Sequence, residues 1–265
     1  MKAAICIDTL EDAGTIPERV ELCASFGFRA VEMWGWRDKD VPALEAALER
    51  TGVSMVNMSA HRRGSPIAAA DRQTFLDEVA DTVAVARPLG CPTLMVLSNE
   101  LGEGGRVVDA FDAIPATDKR DSFISALRAA VEQLPPDMRL VLEHLNTEVD
   151  HPGNFLTSLA GAREIVDAVA DERVGILADL YHLAVGGTDP MAAIREFAPW
   201  FGHVHIAGLP NRNEPGAPGS DETDWAAVLR ALHAAGYDGA VGFEFFPAEG
   251  SLLALDRIRR LWESL

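Results

Sequence analysis

Four apolar runs in the second half of this sequence end on side chains that could hold a divalent cation. Leu-Val-Leu closes on Glu143, Ile-Leu-Ala on Asp179 and Val-Gly-Phe on Glu244, while His205 follows Val204. A carboxylate at the edge of a hydrophobic run is costly to desolvate unless it meets a metal, a cation or strong hydrogen-bond donors. Brought together, the four offer three oxygen donors and one nitrogen, a set that suits Mn2+, Mg2+ or Co2+ better than a thiophilic metal. Any one of them alone could be capped by backbone donors or by a lysine or arginine. Their recurrence at four successive run ends favours the metal.

Other polar residues stand close by in the sequence. His182, three residues after Asp179, is placed to hydrogen-bond a substrate hydroxyl. Asn146 and Thr147 follow Glu143 and could orient it, although Asn-Thr is also ordinary turn chemistry. Cations at His61-Arg62-Arg63 and at Arg212 could hold a substrate carboxylate or phosphate, an arginine fork being the best geometric match, and Arg212 is the preferred candidate. Trp34 and Trp36 either wall a pocket or pack plainly.

These residues need elements to position them. Short apolar, β-branched runs predict strands over 3–7, 30–33, 54–57, 93–97, 140–143, 174–179, 203–206 and 240–244. Helical patterns lie between them, over 17–26, 41–49, 72–86, 120–133, 155–169, 190–197, 225–235 and 251–262. Asp71 and Asp224 are candidate N-caps, Pro190 suits a first helical turn, and Gly27, Gly52 and Gly236 stand where helices should stop. The polar, glycine-rich stretches 99–117 and 208–223 are expected to be long loops, and long loops in a compact domain are usually functional or mobile. Eight βα units without a linker predict an α/β chain forming a single (β/α)8 TIM barrel over 1–265. A doubly wound dinucleotide fold should show GxGxxG after an early strand, but the residues there read Asp-Thr-Leu-Glu-Asp-Ala-Gly, and no Walker pattern occurs. In a barrel the chemistry gathers at the C-terminal ends of the strands, where all four candidate ligands fall.

Composition agrees with this. The 265 residues match the ~250 typical of such a barrel. With 23 Lys+Arg against 41 Asp+Glu, the net charge of −18 repels phosphate backbones and anionic membranes. The expected partner is therefore a small anionic or polyhydroxylated molecule, with no nucleic acid and no membrane. Cys6, Cys23 and Cys91 form no CxxC pair and are odd in number, which argues for buried thiols rather than disulfides or a thiolate zinc site. The apolar run before Asp8 is too short for a signal-peptide core, and no stretch approaches the ~18 apolar residues of a membrane span. The cytoplasm is the expected location, and acidic barrels of this size often form homo-oligomers.

The same residues carry a resemblance. Glu143-His-Leu-Asn146-Thr147, followed by Pro152-Gly153 and Phe155, resembles the Glu-Pro-x-Asn-Thr…Pro-Gly-x-Phe segment of the hydroxypyruvate isomerase group, within the xylose-isomerase-like barrels of the sugar isomerase/epimerase superfamily. Asp179-Leu-Tyr-His182 is similar to the group's Asp-x-Tyr-His. Gly202-His203-Val204-His205-Ile206-Ala207, then Arg212-Asn213-Glu214-Pro215-Gly216, is similar to Gly-His-Ile-Gln-Ile-Ala…Arg-His-Glu-Pro-Gly. Gly236-Tyr237-Asp238-Gly239 leading to Gly242-Phe243-Glu244 completes the match, which covers nearly the whole chain and is strongest in its second half. The resemblance implies one divalent metal ion held by Glu143, Asp179, His205 and Glu244, with no organic cofactor. It also implies proton transfer by Glu143 and Glu244. The expected substrate contacts are His61, His182, Arg212 and Glu214. The implied reaction is isomerisation of a small hydroxy-carbonyl acid or sugar, with hydroxypyruvate to tartronate semialdehyde as the leading case.

Two departures keep other substrates open. Position 205 is His, as in ketose 3-epimerases of the superfamily, where the hydroxypyruvate isomerase pattern has Gln; and His61-Arg62-Arg63-Gly64-Ser65 replaces a Gly-Glu-Arg-Gly loop. A ketose 3-epimerase, a metal-dependent dehydratase of a keto-cyclitol and a non-catalytic sugar-binding barrel are the alternatives.

Overall fold

Near-continuous apolar runs are what a strand requires when helices cover one face and a closed barrel the other. β1 (Lys2–Cys6), β2 (Ala30–Met33), β3 (Ser54–Ser59), β4 (Thr93–Val96), β5 (Arg139–Glu143), β6 (Val174–Asp179), β7 (Phe201–Ile206) and β8 (Ala240–Phe243) pair in parallel in chain order, and β8 closes on β1. The structure is a computed structural model that describes residues 1–220 and 223–265, so positions 221 and 222 of the expected 208–223 loop lie outside the described residues.

Helices cover the barrel as α1 (Ile16–Ser25), α2 (Val41–Thr51), α3 (Arg72–Ala86), α4 (Ala116–Val131), α5 (Leu159–Val169), α6 (Leu180–Val185), α7 (Pro190–Phe197), α8 (Trp225–Ala234) and α9 (Ser251–Glu263). Asp224 caps α8 by accepting the Ala227 N–H, and Asp189 caps α7 just ahead of Pro190. Gly52 ends α2 in the left-handed region at φ 67°, its N–H donating to Leu48.

Three expectations change. Asp71 does not cap α3: its backbone is already helical, and its carboxylate accepts the Ser65 N–H at 3.2 Å instead. α5 begins at Leu159 rather than 155, because Ser158 takes the Gly161 N–H as its cap while the Phe155 N–H donates to Asn99 at 2.8 Å. The short helix α6 was not expected. It starts because Asp179, the last residue of β6, accepts the His182 N–H and turns the chain at the strand end.

The outer faces of the strands pack against the helices in one large core containing Ile5, Val31, Met55, Leu94, Ile176 and Val241. Inside the barrel, Met95, Leu97, Val141, Leu145 and Leu177 form a separate apolar cluster on the β4–β6 side. The opposite side of the interior is polar and buried, with Glu32, Asn57, Ser59, His203 and His205. Two pairing shifts set this up. Val56 is skipped between the partners of Val31 and Glu32, and Gly202 between the partners of Ile176 and Leu177. Such a bulge re-aims the residues that follow it. Gly202 suits its place, since a Cβ there would lie 2.7 Å from a Val141 methyl. The three cysteines are free and buried. Among the described residues, no helix is long and apolar enough to cross a membrane.

Candidate metal centre and active site

The four strand-end residues converge at the C-terminal mouth of the barrel. Glu143 and Asp179 are the last residues of β5 and β6, His205 is the fifth residue of β7, and Glu244 follows β8 directly. All four are buried, and one ligand atom from each lies within 4.8 Å of the others. The imidazole presents Nδ1 to the acids: 3.2 Å from Glu244 Oε2, 3.4 Å from Glu143 Oε1 and 3.9 Å from Asp179 Oδ2. Neither Glu143 Oε1 nor His205 Nδ1 has a hydrogen-bond partner among the described residues. Buried polar atoms of native proteins are paired, so orphaned hard donors facing one point fit a divalent cation.

The two glutamates have different surroundings. Both oxygens of Glu244 are held, Oε1 by the Trp34 indole N–H and Oε2 by Arg212 at 2.6 Å. Burial would raise Glu244, but Arg212, His205 and Trp34 together hold it well below the usual carboxylate range. Burial pushes Glu143 up to about 7, His205 pulling back and Glu244 and Asp179 adding to the rise. Burial also raises Asp179, against the pull of Arg212 and His205. His205 would be lowered by burial, yet Glu32, Glu143 and Glu244 raise it well above its ordinary value.

Neighbours brace these groups. Asp8 accepts the Trp34 backbone N–H at 2.8 Å and pairs with Lys39 at 2.7 Å, fixing the tryptophan that reaches Glu244. Arg212, at φ 56° in the left-handed region, lies 3.7 Å from Asp179 and stacks over Tyr181 at 5.2 Å. Asn146 orients His182 rather than Glu143: its amide lies 2.7 Å from His182 Nδ1 and 2.6 Å from Asp150. With Nδ1 accepting there, the His182 proton sits on Nε2, 3.7 Å from Asp179. Thr147 is half-buried, and its N–H donates to Glu148.

A cavity of about 490 Å3 opens over the cluster, in the size range of small-molecule sites. One wall is apolar, from Met95, Leu97, Leu145 and Leu101; the other carries Glu143, Glu244, His182, His151 and Arg212, with Trp34 and Phe246 at the rim. Leu101 to Gly105 of the 99–117 loop line the cavity, and His151 Nδ1 ties that segment down by donating to the Gly105 carbonyl at 2.7 Å.

Two expected substrate contacts fall elsewhere. His61 is buried behind the cavity wall, its Nε2 3.2 Å from the Leu97 carbonyl and its ring edge-on to Phe75. Burial pushes it down to about 4. Its neighbour Arg62, exposed at the rim, lines the cavity instead, and forms none of the ion pairs that hold Arg63 and Arg212. Glu214 is fully buried, paired with Arg257 and accepting the Ala248 N–H, so it fastens the loop after β7 to α9. His182 and Arg212 do line the cavity.

The sequence reading missed Glu32 and His203. Glu32 lies beneath His205 in the barrel, with Oε2 2.7 Å from His203 Nε2 and Oε1 3.2 Å from His205 Nε2. Burial would raise Glu32, but the two imidazoles bring it down to about 2. The available signals were a carboxylate inside the apolar run Ala-Val-Glu-Met and two histidines at i, i+2 on one strand.

The profile of the xylose isomerase-like TIM barrel family matches residues 20–261. A putative hydroxypyruvate isomerase of Streptomyces coelicolor is 32% identical over 252 residues, covering 88% of this chain and 86% of that protein. The hydroxypyruvate isomerase of Escherichia coli K12 is 27% identical over 237 residues, covering 86% and 87%. A crystal structure described as an AP endonuclease, family 2, from Brucella melitensis superposes with a TM-score of 0.87 at 25% identity, covering 98% of this chain and 99% of that one.

Proposed function

The chain belongs to the xylose isomerase-like TIM barrel family, and from that premise we propose that it is a divalent-metal-dependent isomerase of a small hydroxy-carbonyl acid, with hydroxypyruvate the leading substrate. The observation that carries this reading is the convergence of Glu143, Asp179, His205 and Glu244 within 4.8 Å at the floor of a partly apolar cavity. The four residues would hold one Mn2+, Mg2+ or Co2+ ion. When bound, that ion supplies Lewis-acid stabilisation of the oxyanion that forms as a proton leaves the carbon beside a carbonyl.

The chain's own groups do the rest. Moving a carbonyl one carbon along requires a proton to be taken from one carbon and returned to its neighbour, while the proton of the adjacent hydroxyl passes to the former carbonyl oxygen. Glu143 and Glu244, on opposite sides of His205 in strand order, are the carboxylates placed to exchange it, each step contributing ~10²–10⁴ in rate. His182, with its proton on Nε2, donates to a substrate oxygen. Arg62 replaces Arg212 as the proposed partner of a substrate carboxylate, because the Arg212 guanidinium is already committed to Glu244 and Asp179. The apolar wall and the 101–105 segment keep water from the reacting carbon.

The description of the Brucella melitensis structure as an AP endonuclease raises a nuclease reading, which the −18 charge of this chain disfavours. A ketose 3-epimerase is the second reading, favoured by His205 as the nitrogen ligand. One experiment separates them. Metal-stripped protein is supplied with Mn2+ and followed by NMR in D2O against hydroxypyruvate, 2-oxotetronates, ketoses and keto-cyclitols. Deuterium entering beside a carbonyl that has moved supports the isomerase; deuterium with inversion at one carbon supports the epimerase; loss of water supports a dehydratase. No exchange with any substrate would defeat the proposal.

A further inference from the structure

Beneath the mouth of the barrel lies a second cluster of buried titratable groups, Glu32, His203 and His205, and it shares one residue with the cluster above it. His205 faces both ways. Its Nδ1 is turned to Glu143, Glu244 and Asp179, while its Nε2 is 3.2 Å from Glu32 Oε1. That contact is within ion-pair distance, and neither His205 Nε2 nor Glu32 Oε1 has a hydrogen-bond partner among the described residues, so each is the nearest complement the other has. Glu32 is itself anchored on its far oxygen, where His203 Nε2 approaches Oε2 at 2.7 Å. The two imidazoles stand edge to face at 5.0 Å, so the carboxylate bridges their Nε2 atoms.

The fold makes room for this carboxylate at some cost. Glu32 is 2% exposed, reaches across the interior from β2 to β7, and has no lysine or arginine partner among the described residues. An ionised carboxylate there must be stabilised by what faces it, and what faces it is two histidines. Gly242 on β8 leaves the space: a Cβ there would fall 2.1–2.6 Å from the Glu32 carboxylate atoms. The pairing shift before His203 sets the phase that turns both His203 and His205 inward.

From this geometry we infer that Glu32 is a positioning residue for the metal centre: it accepts the Nε2 proton of His205 and so keeps the Nδ1 lone pair directed at the three carboxylates, while His203 holds Glu32 in place. A carboxylate behind a ligating imidazole fixes its tautomer and ring orientation and raises its basicity. The inference rests on the metal reading given above.

Calorimetric titration of the metal-stripped protein with Mn2+ tests it. Glu32→Gln removes the charge, and Glu32→Leu removes the acceptor at similar volume. Each is expected to raise the Mn2+ dissociation constant by about 10- to 100-fold. The melting temperature of the metal-free protein serves as the folding control. A readout that needs no variant is the long-range 1H–15N spectrum of Zn2+-loaded wild-type protein carrying labelled histidine. His205 should show its proton on Nε2 and its bare nitrogen as Nδ1. A proton on Nδ1, or a folded Glu32 variant that binds Mn2+ as tightly as wild type, overturns the inference. A wild-type chain that binds no Mn2+ overturns the metal reading as well, whereas tight wild-type binding with unaffected variants overturns this inference alone.

Discussion

Among the described residues, the four candidate cation ligands gathered at the mouth of the barrel all come from β5, β6, β7 and the end of β8, whereas Glu32 of β2 belongs to the deeper group with His203 and His205. The first half supplies something else: Asp8 to hold Trp34, Trp34 to hold Glu244, Glu32 behind His205, and Met95 and Leu97 for the apolar wall. The candidate ligands at the mouth thus come from the second half of the chain, while their supports come from both halves, since Arg212, Asn146 and His203 belong to the second. Closure is what allows this, because it sets Glu32 on β2 opposite His203 and His205 on β7.

The largest effect should come from the second half. Glu143→Gln and Glu244→Gln are each expected to lower kcat/KM by about 10²–10⁴ with the fold intact, as measured by steady-state rates alongside circular dichroism. Full activity in both variants would break the assignment of chemistry to that half.

The first half should answer to stability. His61 is held neutral by burial, down to about 4. The unfolded chain therefore binds this proton more readily below about pH 6.5, and the stability present above that pH is lost as pH falls toward 4. The loss from this group amounts to roughly 3 kcal/mol across the window. Melting temperatures of wild type and His61→Gln between pH 7 and 4 should converge, with the wild type falling faster. Parallel curves would show that His61 does not titrate as a buried group.

Gly242→Ala probes the seam between the halves, since its new methyl would meet the Glu32 carboxylate. We expect a loss of about 1–3 kcal/mol in stability and weaker Mn2+ binding. Gly186→Ala is the control, as nothing lies nearer than 3.5 Å to a Cβ there, and it should change neither. Denaturant titration and Mn2+ calorimetry decide the matter.

The smallest effect belongs to the rim. Arg62→Gln should raise KM for an anionic substrate about tenfold, roughly 1.4 kcal/mol, with little change in kcat. Added salt should raise KM in the wild type and not in the variant. If Arg212 carried the substrate carboxylate instead, Arg62→Gln would leave KM unchanged.

The sequence by itself determined the eight-strand order, the barrel, and the convergence of Glu143, Asp179, His205 and Glu244. An apolar run that ends on a carboxylate marks a strand end, and parallel strand ends in a barrel meet at one mouth. It did not determine which side of a strand faces the interior. In a strand buried on both faces, hydrophobicity does not alternate, so Glu32 within Ala-Val-Glu-Met gives no sign of pointing inward. The pairing shifts at Val56 and Gly202 then move the phase by one residue, which no local pattern records. The same uncertainty separates His61 from Arg62: adjacent residues leave β3, one folding behind Leu97 and the other onto the cavity rim. Glu214 follows the same logic, since Arg257, 43 positions away, decides that it fastens a loop. Identity and spacing placed the candidate ligands because one mouth collects every strand end; the tertiary structure alone chose their supports, because those contacts join residues far apart in the chain.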